Sequence, residues 1–161
     1  MKATSEAAVF RVLRTSWIKP RKVDGTVILD PLCSFVLITI KQKGRASLDQ
    51  VDFRFYAHDR FYLIGRERVC PFPRRISGKD SGIPASRCLI LESRAELRYV
   101  LEDLSPFRYG VENDFYVFPE VPDFFIYASH HDELLFYALA LGSQRDRGKS
   151  RRPTSSFVPA E

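Results

Sequence analysis

Three short, aromatic-rich runs in the second half of the chain constrain the fold most strongly. They span residues 115–118 (Phe-Tyr-Val-Phe), 124–128 (Phe-Phe-Ile-Tyr-Ala) and 134–141 (Leu-Leu-Phe-Tyr-Ala-Leu-Ala-Leu). Short runs of aromatic and β-branched residues are typical of strands. The connections between them, 119–123 and 129–133, are short, and connections of this length favour an antiparallel meander.

Two helices are predicted on either side of the middle of the chain. Apolar residues at mixed three- and four-residue spacings indicate an amphipathic helix within Glu6 to Trp17, ending before Pro20. Ser93 and Glu96 form a capping-box pattern, which predicts a helix over residues 94–104. The apolar residues that this second helix is expected to bury are Leu97, Val100, Leu101 and Leu104.

Further strands are predicted from composition and alternation. Residues 34–41 and 88–91 read as short buried strands, and Asp24-Gly25 is a turn signal. Residues 51–56 alternate apolar and polar side chains, which predicts a strand with one wet face. Residues 61–64 are then its expected hairpin partner. Together these elements predict one α+β domain whose mixed or antiparallel sheet ends in the three-stranded meander.

Two segments depart from this pattern and set the domain boundaries. Residues 66–87 combine five prolines and glycines with several arginines, which predicts a long basic loop. Residues 143–161 are rich in Ser, Gly, Pro, Arg and Lys, as is typical of a disordered basic tail. We therefore expect the folded domain to occupy residues 1–142.

The residue types that carry chemistry are few. His130 and His131 are adjacent, so in extended chain they point to opposite faces and do not readily chelate one ion. Cys33, Cys70 and Cys88 form no Cys-x-x-Cys pair. Cys70 and Cys88 follow closely after arginines, yet no nucleophile signature surrounds either thiol. The sequence predicts no metal, no cofactor and no catalytic site.

Charge is distributed unevenly along the chain, whose net charge is +5. Residues 1–94 carry 18 Lys or Arg and 9 Asp or Glu; residues 95–141 carry 2 and 9; residues 142–161 carry 5 and 2. The middle segment is therefore acidic, at −7, in an otherwise basic protein. Because no long apolar run or leader-like segment is present, we expect a cytoplasmic protein without a membrane partner.

The acidic segment also carries a resemblance to known proteins. From Asp114 to Ala138 the chain reads as an aromatic strand, a short turn, a second aromatic strand and then Ser-His-His-Asp at residues 129–132, leading into a last strand. This order resembles the C-terminal strands of small bacterial proteins that include immunity proteins encoded beside polymorphic toxins. The resemblance implies a non-enzymatic inhibitor that binds a cognate toxin directly.

Polar residues around the strand ends are the predicted contacts with such a partner, because acidic side chains there can face a basic toxin cleft. They are Glu112, Asp114, Glu120, Asp123, His131, Asp132 and Glu133. Two alternatives stay open. A nucleic-acid-associated protein would use the basic 66–87 loop and the tail, with Phe61, Tyr62 and Phe72 stacking on bases. A small enzyme of unknown type is the other.

Overall fold

The fold is a mostly antiparallel sheet with a few short helices, seen in a computed structural model. The structure describes residues 1–14, 16–33, 35–40, 48–49, 51–72, 82–104, 114–129, 131 and 133–140. The predicted tail, 143–161, lies outside the described residues, as do the middle of the basic loop, Glu112, His130 and Asp132.

Nine strands and three α-helices follow one another in the described part of the chain. The strands are β1 (Lys2–Ala3), β2 (Ile18–Val23), β3 (Thr26–Pro31), β4 (Phe35–Ile40), β5 (Phe61–Gly65), β6 (Cys88–Leu91), β7 (Phe115–Pro119), β8 (Phe124–Ser129) and β9 (Glu133–Leu139). The helices are α1 (Glu6–Leu13), α2 (Asp52–Phe55) and α3 (Arg94–Arg98), and α3 continues as one π-helical turn at Tyr99–Asp103.

Seven of these strands form one sheet, in the order β1-β6-β5-β7-β8-β9-β4. Each described neighbour pair is antiparallel. The meander β7–β8–β9 is confirmed, with Val117 opposite Ile126 and Ile126 opposite Phe136. Strands β4 and β6 confirm the predictions at 34–41 and 88–91. The strand predicted at 61–64 is also present, but it lies in the sheet interior between β6 and β7.

The central strands are apolar on both faces, and each face is covered by a separate layer. On one face, Leu63, Val117 and Ile126 are buried with α3 and the α2 region. On the other face, Tyr62 and Phe118 are buried against α1, β2 and β3. Strands buried on both sides read as continuous apolar runs, as residues 61–64 and 115–118 do. The result is three layers with the sheet in the middle.

The layer made of β2 and β3 is a hairpin that the sequence signalled only through its turn. Asp24 and Gly25 both have positive φ, at 51° and 84°. This is the backbone that a two-residue hairpin turn of the primed type requires, and Asp-Gly is a preferred sequence for it. Pro20 and Pro31 lie within the flanking strands. Proline has no N–H to donate to a neighbouring strand. It fits here because, among the described residues, β2 and β3 pair only with each other, so each strand has one edge without a strand partner.

Both predicted helices are present, and both begin at a serine cap. The Ser5 hydroxyl accepts a hydrogen bond from the Ala8 amide at 3.1 Å, and the Ser93 hydroxyl accepts one from the Glu96 amide at 3.1 Å. Glu96 in turn accepts from the Glu92 amide at 2.7 Å. Helix α1 ends at Leu13 and is shorter than predicted. All four apolar residues expected to be buried at 94–104 are buried.

The strand predicted at 51–56 is wrong, because residues 52–55 form helix α2. Leu48, Val51 and Phe55 are fully buried, and this three- and four-residue spacing is helical. A strand would have placed Phe53 on the same buried face as Val51 and Phe55, but Phe53 is exposed. The carboxylate of Asp52 pairs with Arg98, which ties α2 to α3.

The three-layer arrangement predicts that two adjacent phenylalanines are equally important for stability. Phe124 and Phe125 point to opposite faces of β8, and both are buried. Replacing either with alanine should lower the free energy of unfolding by about 3–5 kcal/mol, as for other buried aromatic residues. Urea denaturation of both variants checks this. A loss below about 1 kcal/mol for either one would show that its face of the sheet is not covered.

Candidate protein-binding surface

The exposed or partly exposed contact residues that the structure describes divide between two ends of the meander. Glu120 and Asp123 lie in the β7–β8 turn, whereas His131 lies in the β8–β9 connection and Glu133 is the first residue of β9. Successive turns of an antiparallel meander are at opposite ends, and five or six residues at about 3.3 Å each separate them by roughly 17–20 Å. These residues therefore do not form one continuous acidic surface.

Asp114 lies inside the protein, at the start of β7, with a relative exposure of 4%. Its carboxylate accepts a hydrogen bond from Arg66 Nη1 at 3.1 Å and another from the Tyr127 hydroxyl. Arg66 also donates to the Tyr127 oxygen at 2.8 Å. Burial, followed by the hydrogen bond to Asp114, raises the pKa of the Tyr127 phenol, so the phenol stays protonated and remains a donor. Asp114 thus holds strands together and is not available to a partner.

A pocket of about 450 Å³ lies beside this network, between β3 and the β8–β9–β4 part of the sheet. Its walls include Tyr116, Tyr127 and Tyr137, with Phe35 at the β4 side. The Arg66 guanidinium at its rim is already paired with Asp114. Asp30, the other charged residue of the lining, pairs with Arg21, so the pocket offers aromatic surface rather than free charge.

The β7–β8 end of the sheet adjoins an exposed aromatic pair on α2 and the residue after it. Phe53 and Tyr56 have relative exposures of 65% and 66%. The Arg54 guanidinium lies over the Phe53 ring at 5.2 Å, and that of Arg94 lies over the Tyr56 ring at 5.1 Å. Arg94 also donates to the Tyr56 carbonyl oxygen at 3.2 Å. These contacts hold two aromatic and two guanidinium groups at the surface.

The acids of the β7–β8 turn are tied to the segment that follows Tyr56. Asp123 Oδ1 is 2.8 Å from His58 Nε2, and Glu120 Oε1 is 3.4 Å from Arg60 Nη1. Both carboxylates remain at least partly exposed. We call the surface built by this end of the sheet and by α2 the helix–turn surface. It consists of Phe53, Arg54, Tyr56, Arg94, Glu120 and Asp123.

Sequence reasoning found the acids of this surface but missed its aromatic residues. Phe53 and Tyr56 are three residues apart, which puts them on one side of a helix. Leu48, Val51 and Phe55 occupy its buried side. The three- and four-residue spacing of these side chains could have predicted a helix with one exposed aromatic side. The prediction of a strand at 51–56 concealed that pattern.

The aromatic residues proposed to stack on nucleic-acid bases are in the core, so that part of the alternative is wrong. Phe61, Tyr62 and Phe72 are all buried. Arg87, near the end of the basic loop, donates to the carbonyl oxygens of Gly65, Gly25 and Arg66 and pairs with Glu6. This arginine stabilises the fold rather than presenting a cation to a phosphate. Arg74, Arg75 and Lys79 lie outside the described residues.

In the part of the chain that the structure describes, no three His, Cys, Asp or Glu side chains are grouped so that they could hold a metal ion. Within the same ranges, no helix has the length and apolar character needed to cross a membrane. Comparisons of the chain with protein-family models, with curated proteins and with solved structures find no match.

The buried network makes Arg66 important for stability. Replacing Arg66 with alanine removes the cation that compensates a buried carboxylate, so the free energy of unfolding should fall by about 2–3 kcal/mol. The matched control is Arg21→Ala, which breaks the exposed ion pair with Asp30 and should cost less than about 1 kcal/mol. Chemical denaturation of both variants measures the difference. Equal losses would mean that the Asp114 network contributes no more than a surface pair.

The thiols should differ sharply in reactivity. Burial raises the pKa of the Cys88 thiol to about 11, so at pH 8 it stays protonated and unreactive, whereas Cys33 is exposed. Iodoacetamide at pH 8 should alkylate Cys33 at least about tenfold faster than Cys88. Mass spectrometry of peptides from a time course provides the measurement. Fast labelling of Cys88 in the folded protein would show that the thiol is activated and would reopen a nucleophilic role.

Proposed function

We propose that this chain is a cytoplasmic, non-enzymatic binding protein that inhibits a cognate bacterial toxin by direct contact, as immunity proteins do. The helix–turn surface is the proposed contact site. The observation that carries the proposal is the exposed pair Phe53 and Tyr56, each with an arginine stacked on its ring. Large aromatic side chains left in solvent by a protein with an extensive core call for a partner that covers them.

The composition of this surface suits protein recognition. Aromatic residues and arginine are enriched in protein–protein interfaces and supply most hot spots. Arg54 and Arg94 are held on the rings before any partner arrives, so little side-chain freedom is left to lose on binding. The surface therefore has the features of a preorganised interface core.

The acids at its border supply electrostatic steering. Exposed ion pairs such as Glu120–Arg60 are weak, so a partner's cation can replace the internal one at small cost. Complementary charge at the rim raises the association rate more than the affinity. Glu120 and Asp123 thus favour a toxin whose binding face is basic.

The nucleic-acid alternative has weaker support from the described residues. Single-strand binders expose aromatic rings beside unpaired cations. In this fold Phe61, Tyr62 and Phe72, the rings near the basic loop, are buried. The partly exposed carboxylates of Glu120 and Asp123 in the β7–β8 turn would repel phosphate. A toxin with a basic face is the better partner.

The aromatic core of the surface is tested by Tyr56→Ala. We expect the dissociation constant for the proposed cognate toxin to rise about thirtyfold, which corresponds to about 2 kcal/mol. The control, Val23→Ala, truncates an exposed apolar residue on the hairpin layer and should leave the constant within about twofold. Calorimetry with a catalytically inactive toxin gives both values. Unchanged affinity for Tyr56→Ala would remove the helix–turn surface from the interface.

The acids are tested by charge reversal at the two ends of the meander. Glu120→Lys with Asp123→Lys should slow association with the toxin about tenfold at low salt, change dissociation less, and lose its effect at high salt. Glu133→Lys, at the opposite end, is matched in charge to the single variant Glu120→Lys and should change the association rate less than about twofold. Stopped-flow measurements over a salt series separate the two. If Glu133→Lys has the larger effect, the partner binds at the β8–β9 end.

A further inference from the structure

The outer edge of β4 is the most exposed apolar feature of the sheet. Strand β4 pairs with β9 over six residues, from Phe35 opposite Leu139 to Ile40 opposite Leu134. On its other side it has no strand neighbour among the described residues. With respect to the described residues, its outward N–H and C=O groups therefore form an open template for another strand.

The side chains along this edge are apolar on both faces of the sheet. Leu32, Phe35, Val36 and Leu37 have relative exposures between 41% and 62%. Residues 32–40 contain no charged side chain. Proteins usually protect edge strands with charges, prolines, bulges or short length, and this edge has six regular paired residues and no charge. It therefore has the properties of a strand that is paired in the working protein.

We propose that β4 pairs with β4 of a second copy of this chain, in an antiparallel, two-fold symmetric dimer. Antiparallel pairing of a strand with itself is two-fold symmetric, so both copies use the same residues. Since residues 32–40 are uncharged, the pairing brings no like charges together, although each chain has a net charge of +5. The uncharged edge is therefore electrostatically compatible with a second copy of itself.

The other edge of the sheet explains why the assembly closes at two copies. Strand β1 has only two residues, and Lys2 is one of them. A short, charged edge resists strand addition. Among the described residues, each copy therefore offers one usable edge of the seven-stranded sheet, and pairing of two identical edges leaves none of that sheet for a third copy.

The dimer would also cover apolar surface next to the edge. Phe35 packs on Tyr137, with ring centroids 5.5 Å apart, and both line the open side of the pocket. Leu37 lies opposite Tyr137 in the register of β4 and β9. In the pair, Phe35 and Leu37 of the second copy extend this face and shield it from water.

The dimer does not depend on the proposed toxin. The helix–turn surface is built on the β7–β8 turn, α2 and Arg94, and none of its residues belongs to β4. Measuring the mass of the free protein therefore tests the dimer whether or not the toxin proposal holds.

The test is the molar mass of the full-length chain under reducing conditions, measured by light scattering over about a hundredfold range of concentration. Reduction prevents the exposed Cys33 from cross-linking copies. We expect twice the chain mass of 18.6 kDa at high concentration. Val36→Lys should raise the dimer dissociation constant at least about tenfold, because it places two like charges at the new strand pair. The matched control, Val121→Lys, changes an exposed valine in the β7–β8 turn and should leave the constant unchanged.

Hydrogen exchange distinguishes the possible occupants of the edge. In the proposed dimer the outward amides of β4 exchange slowly in the wild type and rapidly in the folded Val36→Lys variant. A monomer at every concentration would overturn the proposal. If that monomer still protects the outward amides, another segment of the same chain covers the edge. A dimer that Val36→Lys leaves intact would also overturn it, because the copies would then meet elsewhere.

Discussion

The burial of both faces of the central strands is the constraint on which the rest of the structure depends. Strands β5, β7 and β8 are apolar on each side, so the sheet needs a covering layer above and below it. Helix α1 and the β2–β3 hairpin form one layer, and α2 with α3 forms the other. These elements are short, and the exposed residues of β4 lie beyond the area that they cover. The apolar side chains of β4 thus stay exposed because the covering layers end before they reach this strand.

Two arginines beside strands of the sheet tie the structure together: Arg87 joins the α1 and hairpin layer to the sheet, and Arg66 joins neighbouring strands within it. Arg87, just before β6, bonds to carbonyl oxygens on β5 and on the hairpin turn and pairs with Glu6 of α1. Arg66, just after β5, joins β7 and β8 through Asp114 and Tyr127. Both are part of what the sequence presents as a basic loop. Because they are paired internally, the net charge of that segment overstates the positive charge that it shows to a partner.

Local sequence patterns predicted many of the helices and strands. They could not predict which strands pair when the partners are far apart in the sequence. The meander and the serine cap at Ser93 follow from neighbouring residues, so they were found. The position of β5 between β6 and β7 depends on pairing partners far along the chain. Residues 51–55 fit both a two-residue and a helical period, and only the burial of Leu48 and the exposure of Phe53 decide between them. The prediction of a strand at 51–56 also concealed Phe53 and Tyr56, the aromatic residues of the candidate site.

The separation of the acidic residues also changes what their charge can do. A net charge of −7 over residues 95–141 suggests one continuous negative surface. However, the described exposed acids of the meander lie at its two ends, and the carboxylate of Asp114 is paired with Arg66 inside the protein. At about the physiological Debye length of 8 Å, acids roughly 17–20 Å apart act on a partner nearly independently. In the proposed complex, steering toward the helix–turn surface would therefore rest on Glu120 and Asp123, and the lifetime of the complex would rest on Phe53 and Tyr56. Antiparallel pairing of β4 would place the β7–β8 end of one copy beside the β8–β9 end of the other. The two helix–turn surfaces would then lie at opposite ends of the dimer, where each could bind its own partner.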